Sequence, residues 1–157
     1  MRLILLSTIM FVGCYSGKTS FELRAPLHFG KITSNSGGRW GRLHLGMDIG
    51  VPKFTPVKVT ARGIVTRVKY RDKIFGNRVD VFHPEIGLFS SYSHLQEVHV
   101  IEGQELDDRD KIGLVGSTGK STGPHLHFEV YNANGAFMNP LDIIKKHNFT
   151  FRKDTQR

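Results

Sequence analysis

Cysteine is nearly absent from this chain. Cys14 stands alone among 157 residues, so no intramolecular disulfide can form and the fold must rest on a buried core. A single domain of this length can build one. Acidic side chains are also scarce: 14 Asp and Glu face 22 Lys and Arg, a formal net charge of +8. That balance suits an acidic polymer, a membrane surface or nucleic acid, and equally a merely basic surface. The basic residues are scattered and no RNA-binding or helix-turn-helix pattern stands out, so nucleic acid is not an expected partner. There is no internal repeat and no low-complexity tract.

The apolar run that opens the chain, Leu3 to Gly13, is too short to span a bilayer as a helix. Preceded by Met1-Arg2 and followed by Cys14, it has the form of a secretory signal. Phe11-Val12-Gly13-Cys14 resembles a bacterial lipoprotein processing site, with Phe11 where leucine is usual. The alternative is a plain signal cut elsewhere. Residues 1–13 are therefore expected to be a signal peptide and 14–30 a lipidated amino terminus and tether. The rest is exported to a bacterial envelope or periplasm and held to the membrane through lipid on Cys14.

From about Lys31 the chain consists of short apolar runs punctuated by Gly, Pro and Asn, the mark of an all-β domain. Expected strands are Met47–Val51, Val57–Thr60, Ile64–Tyr70, Arg78–His83, Phe89–His94, Lys111–Val115 and His125–Tyr131. In Arg78–Phe82 the alternation turns Val79 and Val81 inward. One short helix is expected near the carboxyl end, with Asn139 as cap and Pro140 in the first turn, running to His147. The domain is bounded at 31–147, with a tail at 148–157. Glu102 to Gly113 has the look of a hairpin, and lipoyl or biotinyl carrier domains place a lysine on such a unit. Lys111 follows Asp110, but that reading leaves the histidines unexplained.

Gly116-Ser-Thr-Gly-Lys-Ser-Thr brushes against the phosphate-loop pattern. Its glycines are too close together, and a strand follows where a helix should start. That strand carries His125 and His127, which share one face because side chains in a strand alternate. His44 and Asp48 stand four apart. In a straight strand they would be about 13 Å apart, but a bend at Gly46 brings them together. His44, Asp48 and one of His125 and His127 then supply two nitrogens and one oxygen, the open three-ligand arrangement of catalytic zinc. His28, His83, His99 and His147 have no partner motif and read as structural or exposed. Glu129 shares the parity of His125 and His127 and could back them, although an outward surface carboxylate is the expected state. Ser117 and Ser121 lack triad context, so the glycine loop reads as a groove wall.

Together His44-x-x-x-Asp48, Tyr92-Ser-His94-Leu95 and Gly119-x-Ser-Thr-Gly-Pro-His-Leu-His127-Phe-Glu-Val resemble the lysostaphin/LytM-type zinc metalloendopeptidases, which cut peptide bonds in bacterial peptidoglycan. The resemblance covers about Ile32 to Ile144. It implies an open antiparallel β-sheet groove, two-sheet and sandwich-like, with one zinc ion on its floor. It also implies His44, Asp48 and His127 as ligands, with His125 and His94 catalytic and unliganded. His125 would position or deprotonate the water, and His94 would stabilise the tetrahedral intermediate. Departures are mild: Ser34–Arg39 alters a turn, Phe54 stands where glycine is common, and Leu106–Lys111 is more acidic than usual. The expected partner is peptidoglycan peptide, met in wall remodelling or division. The other functional class is a non-catalytic wall-binding or hydrolase-activating module on the same fold. No motif names a regulatory protein.

The mature protein is expected to begin at Cys14 and carry lipid, which mass spectrometry of the native protein will show. An intact Met1, or an unlipidated start well past Cys14, contradicts the expectation.

Overall fold

The structure is a computed structural model that describes residues 23–39, 42–144 and 150–151. The amino-terminal run, Cys14 and His147 lie outside the described residues.

Thirteen strands and one helical turn are described. They are β1 (Phe29–Ser34), β2 (Gly37–Arg39), β3 (Arg42–His44), β4 (Met47–Gly50), β5 (Pro56–Lys58), β6 (Gly63–Asp72), β7 (Gly76–His83), β8 (Leu88–Val98), β9 (Glu105–Leu106), β10 (Lys111–Val115), β11 (His125–Asn132), β12 (Phe137–Met138), α1 (Pro140–Ile143) and β13 (Thr150–Phe151). Eleven strands form one hydrogen-bonded network in the order β13-β1-β4-β11-β8-β7-β6-β9, with β10 joining β8 to β5 and β12 flanking β11. Strands β2 and β3 form a separate hairpin. All pairings are antiparallel except β1 with β13. The expected all-β class, open antiparallel sheet and single short helix are what the described residues form.

Alternation builds the core. Val79 and Val81 on β7, Tyr92 on β8, and Leu126, Phe128 and Val130 on β11 all point inward and are fully buried. The branch formed by β5 and β10 closes over them with Val57, Ile112 and Val115, giving two layers from one network. A polar knot stiffens this interior. His83 is buried between the Ser90 hydroxyl at 2.7 Å and the Arg62 carbonyl at 2.9 Å, and the Tyr92 hydroxyl accepts from the Thr60 amide at 3.0 Å.

Two expectations are corrected here. The tether does not run to residue 30, because Leu23, Ala25 and Leu27 are buried in the core; alternate apolar residues pack even in a stretch that reads as mixed and polar. The helix is a single turn. Asn139 caps it, its side chain accepting from the Leu141 amide at 3.2 Å, but Ile144 is already extended at φ −75, ψ 131. Phe54 adopts φ 69, a conformation that glycine takes freely and a bulky side chain does not. The physical reason for glycine at that place in the resembled family is therefore visible in this backbone. Lys111 lies within β10, not at a turn, so the carrier-domain reading has no support.

Phe128 fills the core directly behind His127. Phe128→Ala is expected to lower unfolding free energy by about 3–5 kcal/mol, measured by denaturant titration. A loss under about 1 kcal/mol would show that the layer behind the site is not tightly packed.

Candidate metal centre

Three neighbouring strands converge on the site. Antiparallel pairing sets His127 of β11 opposite Asp48 of β4 on one side and Ser93 of β8 on the other. The chain breaks between β3 and β4 at Leu45-Gly46, the expected bend, and this swings His44 back over the carboxylate. A Cβ on Gly46 would lie 2.7 Å from both the His127 ring and the Phe128 carbonyl, so no other residue permits so close an approach.

Asp48 is the hub. Its Oδ1 lies 2.8 Å from His127 Nδ1 and 3.8 Å from His125 Nε2, and its Oδ2 lies 3.3 Å from His44 Nε2. Ligand atoms of His44, Asp48 and His127 all fall within 4.8 Å of one another. The far side of each ring is tied down: His44 Nδ1 donates to the Asn35 carbonyl at 2.9 Å, and His127 Nε2 donates to Glu129 Oε1 at 3.0 Å. With those protons fixed outward, Nε2 of His44 and Nδ1 of His127 point at Asp48. Two nitrogens, one carboxylate and anchored outer ring positions are the donor set of an open zinc site. The residues fit the ion.

His94 and His125 face each other above this cluster, ring centroids 4.6 Å apart, and neither is needed as a ligand. Each binds a carbonyl through Nδ1, His94 that of Thr118 and His125 that of Gly123, both at 2.8 Å. Among the described residues neither Nε2 makes a hydrogen bond, that of His125 lying 3.8 Å from Asp48 Oδ1. His94 sits at φ 63, a costly backbone for a non-glycine residue. Its amide is held by the Phe75 carbonyl at 2.8 Å. The Thr118 hydroxyl accepts from the Asn77 amide at 3.0 Å and donates to the Leu95 carbonyl at 2.9 Å, locking the glycine loop to β7 and β8. Gly119, at φ +72, packs against Gly76 in this junction. Residues 119–122 then wall one side of a cleft of about 570 Å³, with Ile74 and Phe75 beside them and His44 and Leu45 also lining it. The groove wall read from the sequence is in place.

Burial acts on both central histidines, with opposite results. It lowers His94, reinforced by the neighbouring histidines, to about 4. It also works against charge on His127, but hydrogen bonds that the ring donates to Asp48 and Glu129 outweigh it and raise that ring to about 9. Burial opposes ionisation of Asp48 and Glu129, yet their bonds to His127 hold both below the usual carboxylate range.

The structure brings together all five residues singled out from the sequence and leaves the other described histidines away. His99 pairs with Glu97 at 3.0 Å, and His28 lies 3.2 Å from Arg109. Glu129 is corrected: it is 2% exposed, not an outward carboxylate. Its parity with His127 was the available signal. What the sequence concealed was Arg78, whose guanidinium makes burial of that charge tolerable. Thr118 and Phe75 were also missed, since carbonyl contacts leave no residue signature.

The family model described as Peptidase family M23 matches residues 42–140. A curated relative, the peptidoglycan DD-endopeptidase ShyC of Vibrio cholerae, is 35% identical over 128 residues, covering 77% of this chain and 29% of its own length. The chain spans less than a third of the length of the curated relatives it matches. A solved zinc-containing peptidase from Vibrio cholerae is 32% identical with a TM-score of 0.65, over 76% of this chain and 40% of that one. The catalytic domain of the antimicrobial peptidase lysostaphin from Staphylococcus simulans is 28% identical with a TM-score of 0.65, over 72% of this chain and 90% of that domain.

Because His127 is raised to about 9, its ring is charged at neutral pH, and a metal can take Nδ1 only as that proton leaves. Metal affinity should therefore fall about tenfold for each pH unit below 9 from this proton alone. Calorimetry in buffers of different ionisation enthalpy should count about one proton released per metal at neutral pH. An affinity independent of pH would contradict the His127 assignment.

Proposed function

The chain belongs to peptidase family M23, and from that premise we propose that it is a zinc-dependent endopeptidase hydrolysing peptide bonds of bacterial cell-wall peptidoglycan. The observation that carries this reading is the cluster of His44, Asp48 and His127 with two unliganded histidines, His94 and His125, poised over it. Likeness to a peptidoglycan DD-endopeptidase supports the substrate, and likeness to a zinc-containing peptidase supports the ion.

His44 Nε2, one oxygen of Asp48 and His127 Nδ1 would hold one zinc ion. When bound there, zinc polarises a carbonyl and lowers the pKa of water to about 7. The remaining work belongs to the protein. The cleft between the glycine loop and His44–Leu45 would hold an extended peptide with its scissile carbonyl over Asp48 and His127. His94 is neutral at physiological pH, since burial holds it at about 4. Its Nδ1 proton is committed to Thr118, so Nε2 offers a lone pair and not a donor. His125 commits Nδ1 to the Gly123 carbonyl in the same way, which turns its Nε2 toward Asp48. One of these nitrogens takes the proton of the attacking water. The N–H so formed faces the developing oxyanion and then the departing amine. The oxyanion-stabilising role expected of His94 thus begins only after proton transfer. Lipid on Cys14 would hold this cleft against the wall from the membrane side.

His94→Ala and His125→Ala should keep zinc and fold but each lose about 10²–10⁴-fold in release of muropeptides from purified peptidoglycan. The double variant should lose less than the product of the two. Near-wild-type cleavage by either single variant removes that histidine from the mechanism. Loss of zinc from His125→Ala would exchange the roles of His125 and His127.

A further inference from the structure

Beneath His127 the same face of the sheet carries a buried row of charges that the proposed reaction does not use. Glu129 follows His127 at the same parity on β11. Ser91 stands opposite Glu129 on β8, and Asp80 opposite Ser91 on β7. Glu129 accepts a hydrogen bond from Nε2–H of His127 at Oε1 (3.0 Å), while Oε2, which has no aligned hydrogen-bond donor among the described residues, is ion-paired with Nη2 of Arg78 at 3.0 Å. Arg78 donates from Nε to Asp80 Oδ1 at 2.7 Å, and the Ser91 hydroxyl donates to that same oxygen. The Phe75 ring lies across the guanidinium, 4.6 Å from its carbon to the ring centroid. Asp48, His127, Glu129, Arg78 and Asp80 thus form an unbroken chain of side-chain contacts. The side chains of Glu129 and Asp80 are only 3% exposed and that of Arg78 13%.

Stability alone does not account for this row. Buried ion pairs lose much of their attraction to desolvation, and apolar residues of similar shape hold a fold as well or better. What the row does accomplish is geometric. With Nε2–H of His127 held by Glu129, Nδ1 is the nitrogen turned to Asp48 and His44. The carboxylate of Glu129 is itself confined by charge, because Arg78, hydrogen-bonded to Asp80 and covered by the Phe75 ring, sets its guanidinium 3.0 Å from Oε2.

We propose that Glu129 and Arg78 are the positioning pair of this centre: Glu129 fixes the ring of His127 with Nδ1 toward the other two ligands, and Arg78 holds Glu129 in place. The inference rests on the assignment of His44, Asp48 and His127 as zinc ligands. It makes Arg78 matter to a metal that it does not touch.

The test is zinc affinity of the full chain, by competition with a chromophoric chelator, together with melting of the metal-free protein and kcat and KM at saturating zinc. Glu129→Gln keeps shape and is expected to weaken zinc about 10–100-fold. Arg78→Met should weaken it comparably, and Arg78→Lys should recover part of the loss. The double variant should lose less than the product, because the two residues act through one contact. If Arg78→Met fails to fold, Glu129→Gln and Arg78→Lys carry the same comparison. Variants that bind zinc within about twofold of wild type, whatever their melting temperatures, make the pair a structural ion pair and overturn the proposal. A wild-type chain that takes up no zinc sinks the ligand assignment and this inference with it. Normal wild-type uptake with unaffected variants sinks this inference alone.

Discussion

The site depends first on the register between two strands. Asp48 on β4 stands directly opposite His127 on β11, and the 2.8 Å contact between them joins segments that lie 79 residues apart in the chain. A slip of one residue by either strand would turn its side chain to the other face and part the pair. The slip is prevented by the residues between them: Met47 and Ile49 on β4, and Leu126 and Phe128 on β11, are all buried in the same core. The packing that stabilises the sheet and the geometry that assembles the cluster are therefore one constraint seen from two faces.

Electrostatics then separates residues of the same type. His94 and His127 are both largely buried, and burial pushes both toward neutrality. His127 lies between two carboxylates and is driven the other way, whereas His94 meets a carbonyl and other imidazoles. A position that favours positive charge suits a cation, and a ring kept neutral suits proton transfer. Environments that push like groups apart in pKa are how a site divides labour. The same contrast explains the strained backbone at His94. Its φ of 63 is tolerable because the Phe75 carbonyl, the Thr118 carbonyl and the interlocked glycine loop all hold it there.

Much of this was legible beforehand. Short apolar runs punctuated by Gly, Pro and Asn marked seven strands that the fold contains, and the parity of His125 and His127 put them on one face. Gly46 announced the bend that brings His44 to Asp48. Less visible were short strands paired by backbone alone, such as β9 and β12, whose two residues carry no pattern. The packed stretch at Leu23 to Leu27 was read as tether because apolar character spread over five residues is weak until a core surrounds it. Arg78-Val-Asp80 reads as an ordinary solvent-facing alternation; only the neighbouring strand reveals that its polar face is covered.

Resemblance to a known family supplied His94 and the choice of His127 over His125; the sequence by itself determined the all-β class and the set of His44, Asp48 and one of His125 and His127 as three oxygen or nitrogen donors. Those follow from side-chain chemistry and from a periodicity fixed by the geometry of a single strand. The tertiary structure alone decided which nitrogen of each histidine faces inward, the burial of Glu129 on Arg78, and the opposite shifts of His94 and His127. Those depend on hydrogen-bond acceptors and charges brought from distant parts of the chain. Short-range pattern carries no record of them, because Coulomb and desolvation energies depend on distance through space and not along the chain.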